Sequence, residues 1–265
     1  MHDLALRQRR ELGVRAPWHV GDVTWGLRQH EGREDEWKIR IWRDRDRTVA
    51  CSWLKGDRGL LEFDVRRDRL DLLDEILAEP NARTVTAFED DEEVLGVLAR
   101  HGFTRPGDRM HFLARDLSAA PEMPSLPDGF LCRTVEADDL SERVAVHRDV
   151  WAPSRVTESS FATVQASWPY RASLDCVLEA PGGRFAAYCL IWPDDENRVG
   201  ELEPVGVREE YRRRGLGAAV CTFALRRLYE EGGRDAIVYC VDDAACGLYQ
   251  SIGFRRHATA VGYSR

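Results

Sequence analysis

Apolar and polar residues along this chain alternate in short runs, broken by a few stretches whose apolar positions fall on helical spacing. The short runs predict strands at Phe130–Val135, Leu174–Glu179, Phe185–Trp192, Val199–Val207 and Ala236–Val241, with the tail after Phe254 as a last strand. Leu216, Val220, Phe223 and Leu228 share one helix face, predicting a long helix from about Gly215 to Glu231 that Gly232-Gly233 stops. Shorter helices are expected over Asp138–Trp151, Thr157–Trp168 and Ala244–Ser251. The first half runs through a matching order. Strands are expected at Trp37–Trp42, Thr48–Leu54 and Leu60–Val65, then a helix at Leu70–Ala78, a strand at Arg83–Phe88, a helix at Glu92–Arg100 and a strand at Met110–Ala114. Between the halves, Pro121, Pro124 and Pro127 stiffen a segment that can continue neither a helix nor a central strand, so it reads as a linker.

Two local echoes point to an internal duplication. The run from Gly59 to Arg66 resembles Gly200 to Arg208, and Leu98 to Phe103 resembles Tyr249 to Phe254. The expected class is therefore α/β, with mixed sheets in two tandem domains, 1–125 and 126–265.

Composition narrows the function. With 38 Lys+Arg against 46 Asp+Glu the formal net charge is −8, which argues against a nucleic-acid binder relying on phosphate neutralisation. The amino terminus has no apolar core suited to a signal peptide, and no stretch reaches about 18 apolar residues, so neither export nor membrane insertion is expected. A cytoplasmic protein, monomer or homodimer, is the expectation. Its seven cysteines lack a CxxC pair and read as reduced core residues. The histidines are scattered, and no metal is assigned.

The most informative stretch runs from Val205 to Ala218. A strand ends, a basic loop with Arg212, Arg213 and Arg214 follows, and Gly215 and Gly217 open a helix through Leu216 and Ala218. Unpaired amides and the positive dipole end of a helix suit an anion, and glycines there would let a ligand approach the backbone. The Lys-Ser/Thr pair of a P-loop is missing, as is the third glycine of a dinucleotide fingerprint.

Arg212-x-x-Gly215-x-Gly217 after a strand resembles the pyrophosphate loop of the GCN5-related N-acetyltransferases (GNAT). Asp242-x-x-Ala245-x-x-Leu248-Tyr249-x-x-x-Gly253-Phe254 resembles the second signature of that family, with Asp242 where asparagine is usual. The likeness to tandem members of the mycothiol-synthase type extends through Tyr249–Phe254. It implies two GNAT-like domains. The first is degenerate, because Arg66 to Leu73 holds no glycine and cannot cradle a pyrophosphate. The second would bind acetyl-CoA and move the acetyl group to a primary amine of a small polar molecule. A CoA-binding sensor or scaffold without turnover is the alternative.

Acetyl transfer needs a base, because an alkylammonium has a pKa near 10.4. Glu201 and Glu203 lie two apart on one strand and so share a face. Glu201 is the expected base and Glu203 its assistant, though both also fit as structural charges. The resemblance implies that Tyr249 protonates the leaving thiolate. It also implies that Val205, Gly206 and Val207 lie at a β-bulge beside Pro204, where free amides meet the thioester oxygen, and that Asp242 faces the pantetheine arm. For the acceptor, Trp151, Glu158, Trp168, Tyr170 and the run Asp194-Asp195-Glu196 are available.

Overall fold

The computed structural model describes residues 1–32, 34–56 and 59–265. The first half holds helices α1 (His2–Leu12) and α2 (Val20–Arg28), strands β1 (Trp37–Asp44), β2 (Arg47–Lys55) and β3 (Leu60–Val65), helix α3 (Leu73–Leu77), strand β4 (Thr84–Phe88), helix α4 (Glu92–Arg100) and strand β5 (Arg105–Asp116). The second half holds β6 (Leu131–Thr134), α5 (Leu140–Val150), α6 (Glu158–Gln165), β7 (Asp175–Glu179), β8 (Phe185–Asp194), β9 (Val199–Val207), α7 (Leu216–Glu230), β10 (Asp235–Cys240), α8 (Asp243–Ser251) and β11 (Arg255–Ser264). Helices α1 and α2 were not legible as apolar periodicity. Their buried positions include Gln8, Arg9 and Thr24 as well as Leu4, Val20 and Val23.

Among the described residues, eleven strands form one sheet in the order β1-β2-β3-β4-β11-β5-β10-β9-β8-β7-β6. The order has a pseudo-twofold centre between β11 and β5. Each half contributes its last strand to the slot next to the other half's: β5 lies between β11 and β10, and β11 lies between β4 and β5. The two echoes fall on equivalent positions of this arrangement, β3 with β9 and the end of α4 with the end of α8.

Two cores lie under α7 with α8 and under α3 with α4. A third forms where Trp25 of α2 meets Phe161 and Val164 of α6 and Leu190 and Trp192 of β8. Helix α2 is thus a helix of the first half whose apolar side packs on the second. Two glycines make this possible. A Cβ on Gly21 would stand 2.3 Å from Glu201 Oε2 and 2.5 Å from Trp192 Cγ, and one on Gly26 would stand 2.7 Å from a ring carbon of Trp53 in β2.

The cysteine expectation needs correction. Cys240 at the end of β10 and Cys246 in the first turn of α8 form a disulfide, their Cα atoms 5.8 Å apart. The turn at Val241–Asp242 folds the chain back over six residues, a pairing that the search for CxxC spacing does not reveal. Cys51, Cys176, Cys189 and Cys221 are free and buried, as expected of small apolar residues, and Cys132 is half-buried.

Under α5, Arg143 is fully buried. Its Nε donates to Asp175 Oδ1 at 2.8 Å, and its guanidinium lies between the rings of Tyr188 and Phe161. Losing one partner of such a pair strands the other charge. Arg143→Met should therefore lower unfolding free energy by about 3–5 kcal/mol in a urea titration, and Asp175→Asn added to it should restore most of the loss.

Candidate active site

Strands β9 and β10 run parallel only briefly. Val199, Gly200 and Glu201 pair with Asp235, Ala236 and Ile237, and beyond them the strands part. On its other edge β9 stays with β8, where Leu202 pairs with Ile191 and Val205 with Cys189, so Glu203 and Pro204 bulge opposite Leu190. Trp192 Nε1 pins the bulge by donating to the Glu203 carbonyl at 2.6 Å. The bulge expected near Pro204 is present, and it changes which side chains face which way. Glu201 lies beside Trp192 on the α2 face, whereas Val205 and Val207 join the core under α7.

The parted strands open into a cavity of about 960 Å³ that runs across the α2 face of the sheet. Asp22, Glu203, Pro204, Val205, Tyr239, Asp242 and Tyr249 line it, so both halves contribute to one site. The facing carboxylate oxygens of Asp22, Glu201 and Glu203 lie within 4.8 Å of one another, a spacing that would also suit a divalent cation. Glu201 is fully buried and absent from the cavity wall, while Asp22 and Glu203 are half-buried and reach it.

Burial, and then the Glu203 charge, push the Glu201 carboxyl well above the usual carboxylate range. Asp22 is raised in the same way, by burial and then by Glu201. Glu203 is pushed up to about 8 by burial and by the neighbouring Asp22. His19, the N-cap of α2, lies with Nδ1 3.1 Å from Glu201 Oε2. Burial and the nearby Arg9 lower it to about 3, so the imidazole is neutral, and its Nδ1 accepts the Gly21 amide at 3.1 Å. The group therefore stores protons near neutral pH. Of the three carboxyl groups, Asp22 and Glu203 reach the cavity, and Glu203, raised to about 8, gives up its proton just above neutral pH.

Asp22 and His19 were missed in the sequence. The signal was local: His19-Val20-Gly21-Asp22 forms a capping box in which Asp22 Oδ2 accepts the His19 amide at 2.6 Å. Nothing in the sequence places that helix end against Glu201.

Tyr249 is buried on α8 with its ring on the cavity wall, and burial raises its hydroxyl well above the ordinary phenol range, so it keeps its proton. Asp242 lines the cavity too, but its Oδ1 accepts the Ala245 amide at 2.7 Å and so caps α8. Val205, Gly206 and Val207 pair with Cys189, Tyr188 and Ala187 on one edge and have no β10 partner on the other.

The basic loop is exposed from Arg212 to Gly215. Gly215, at φ 76°, is the left-handed N-cap of α7, and the first amide to bond back is Ala219 to Gly215 O at 3.0 Å. The amides of Leu216, Gly217 and Ala218 thus belong to the open end of the helix. The two glycines do not act alike, and it is at Gly217 that the structure gives another reason than a ligand's path. A Cβ at 215 would meet nothing within 4 Å, so that glycine serves the backbone turn. A Cβ at 217 would stand 2.6 Å from Leu248 Cδ1 and 3.1 Å from Val207 Cγ2, so that glycine lets α7 close on α8 and β9. Arg212 Nε donates to Val207 O at 3.2 Å, Arg214 stacks over Phe130, and Arg213 is exposed at φ 61°.

Of the acceptor candidates, only Trp151 lines the cavity, with its Nε1 bonded to Tyr188 Oη at 2.7 Å. Tyr170 bonds to Asp175, Asp194 holds Asn197, and Trp168 and Glu158 are exposed away from the cavity wall.

Comparison with known proteins agrees with this architecture. Residues 143–254 match the model of the acetyltransferase (GNAT) family. A mycothiol acetyltransferase of Corynebacterium aurimucosum is 30 % identical over 162 residues, 53 % of this chain and 53 % of that protein. One from Actinosynnema mirum is 29 % identical over 186 residues, 67 % of this chain and 62 % of that protein. The matched stretches thus span somewhat over half the length of these relatives. Among solved structures, a GCN5-related N-acetyltransferase from Sphaerobacter thermophilus superposes with TM-score 0.69 at 19 % identity, covering 99 % of this chain and 92 % of that one. A tandem GNAT protein from the clavulanic acid biosynthesis pathway superposes with TM-score 0.68 at 16 % identity, covering 99 % and 95 %. Residues 143–254 are thus similar to the acetyltransferase (GNAT) family, and the chain as a whole has the fold of tandem GNAT proteins.

Proposed function

We propose that this protein is an acetyl-CoA-dependent N-acetyltransferase acting on the primary amine of a small molecule, with its cofactor site in the second half. The observation that carries this reading is the parting of β9 and β10 into a cavity that holds a buried tyrosine on one wall and a carboxyl group on the other.

The residues present fit acetyl-CoA. The open end of α7, with Gly215, Leu216, Gly217 and Ala218 and the side chains of Arg212, Arg213 and Arg214, would hold the diphosphate. The gap between the strands, bordered by Val205 to Val207 and the capped end of α8 at Asp242, would take the pantetheine arm. Bound there, acetyl-CoA supplies an activated acyl thioester. The first half parts similarly, since β3 and β4 pair only at Leu60–Thr84 and Leu61–Val85. Yet Arg67 binds Asp91 through two hydrogen bonds at that cleft, and Leu98 stands where the echo places Tyr249. That half would bind no cofactor.

Glu203, ionised, takes a proton from the acceptor's ammonium and leaves a neutral amine. Glu201, behind it, shares the carboxyl cluster's protons and has no path of its own to the acceptor. This exchanges the roles first expected for the two glutamates. The unpaired edge of β9 offers amides to the developing negative charge on oxygen. The Tyr249 hydroxyl holds the proton that the departing sulfur requires.

A base pushed up to about 8 is protonated and idle below that value, so kcat/KM should rise as pH climbs through it. Glu203→Gln should remove that limb and lower kcat by about 10²–10⁴-fold, and Asp22→Asn should move the limb to lower pH, both read from pH–rate profiles. Tyr249→Phe should lower kcat by a similar factor with little change in acetyl-CoA affinity. Gly215→Val, strained at positive φ, should weaken acetyl-CoA binding in a calorimetric titration of a variant that still folds. Tight acetyl-CoA binding without CoA release on any amine would favour the non-catalytic sensor.

A further inference from the structure

The cavity differs in character at its two ends. Toward α8 it is the gap between β9 and β10. Away from it, under the segment joining α1 to α2, its wall is largely aromatic: Trp18, Trp25, Trp53, Phe88, Phe112 and Tyr239. Several of these rings support one another. Phe88 and Phe112 meet edge to face at 4.9 Å, Phe112 and Tyr239 lie 4.3 Å apart, and Trp53 is fixed beneath Gly26.

The charges on this wall are one-sided once existing pairs are taken out. Arg15 is bound to Asp90 at 2.8 Å, Lys55 to Glu62 at 2.8 Å, and Arg67 to Asp91 at 2.6 Å. Arg155 stands exposed at the rim. Asp22 and Glu203 make no ion pair among the described residues, though Lys55 lies near enough to favour the Glu203 anion, and Asp64 accepts from the Gln8 amide at 3.0 Å with the buried Arg9 nearby. The wall therefore offers carboxyl groups that no ion pair holds, beside aromatic faces.

We infer that the acceptor is an arylalkylamine: a primary ammonium on an aromatic, otherwise apolar body without a carboxylate or phosphate. The ammonium is attracted by Glu203 and Asp22, and the ring is covered by Trp18, Trp53 and Phe112. A polyhydroxylated amine would press most of its hydroxyls against the faces of Trp25, Phe88 and Phe112, which offer no hydrogen bond, and each unpaired group costs binding energy. An amino acid would bring its carboxylate toward Asp22, Glu203 and Asp64, and the cations Arg15, Lys55 and Arg67 on the wall are already held in ion pairs. This inference rests on the acetyl-transfer reading of the same cavity and replaces the small polar acceptor expected from sequence.

Full-length protein with acetyl-CoA is assayed for CoA release on phenethylamine, glucosamine and phenylalanine, and phenethylamine is titrated calorimetrically without acetyl-CoA. The expected kcat/KM for phenethylamine exceeds that for either competitor by about tenfold or more. Trp18 is only half-buried, so Trp18→Ser should fold and should raise KM for phenethylamine several-fold with acetyl-CoA affinity unchanged. Equal or better turnover of glucosamine or phenylalanine overturns the inference and leaves acetyl transfer standing. Calorimetric binding of phenethylamine with no turnover of any amine overturns acetyl transfer and upholds the ligand class. Neither binding nor turnover of phenethylamine overturns the inference.

Discussion

The exchange of final strands at the centre of the sheet is the constraint on which the rest of this structure depends. Strand β5 lies between β11 and β10, and β11 lies between β4 and β5, so the sheet of each half is continuous with that of the other. Six residues of β10 pair with β5 across the linker. With the halves tied in this way, α2 reaches β8 and β9, and Gly21 removes the atom that would otherwise keep it from Glu201 and Trp192.

That close approach has an electrostatic consequence. At an effective dielectric of about 20, two unit charges some 4 Å apart repel by about 4 kcal/mol. Three carboxyl groups whose oxygens lie within 4.8 Å, one of them fully buried, cannot all be ionised at neutral pH. As pH rises through about 8 charge forms on Glu203, which reaches the cavity, while Glu201, buried behind it, keeps its proton. The first half thereby shapes the chemistry of the second through Asp22 and His19.

Much of the fold was legible in local pattern. The strand at Val199–Val207 has the bounds that its apolar run implied, and the helix after Gly215 differs by a residue at each end. The loop and the Tyr249 segment were legible because helix ends, left-handed turns and signature spacings are properties of contiguous residues. Helices α1 and α2 were not, since their buried faces include the polar Gln8, Arg9 and Thr24, and two of these are satisfied by distant partners: Gln8 by Asp64, and Thr24 by the Trp168 carbonyl. The Cys240–Cys246 pair depends on how tightly one turn folds back.

The sequence by itself determined the mixed α/β class, the duplication, the anion-suited loop and a pair of glutamates on one strand face, because each is encoded in residues close together in the chain. Only the tertiary structure decided which glutamate meets the cavity, that Gly217 serves helix packing while Gly215 serves a turn, and that an amino-terminal helix completes the carboxyl cluster. Those outcomes depend on burial and on contacts between segments nearly two hundred residues apart, as with Gly21 and Glu201, and no local pattern carries them.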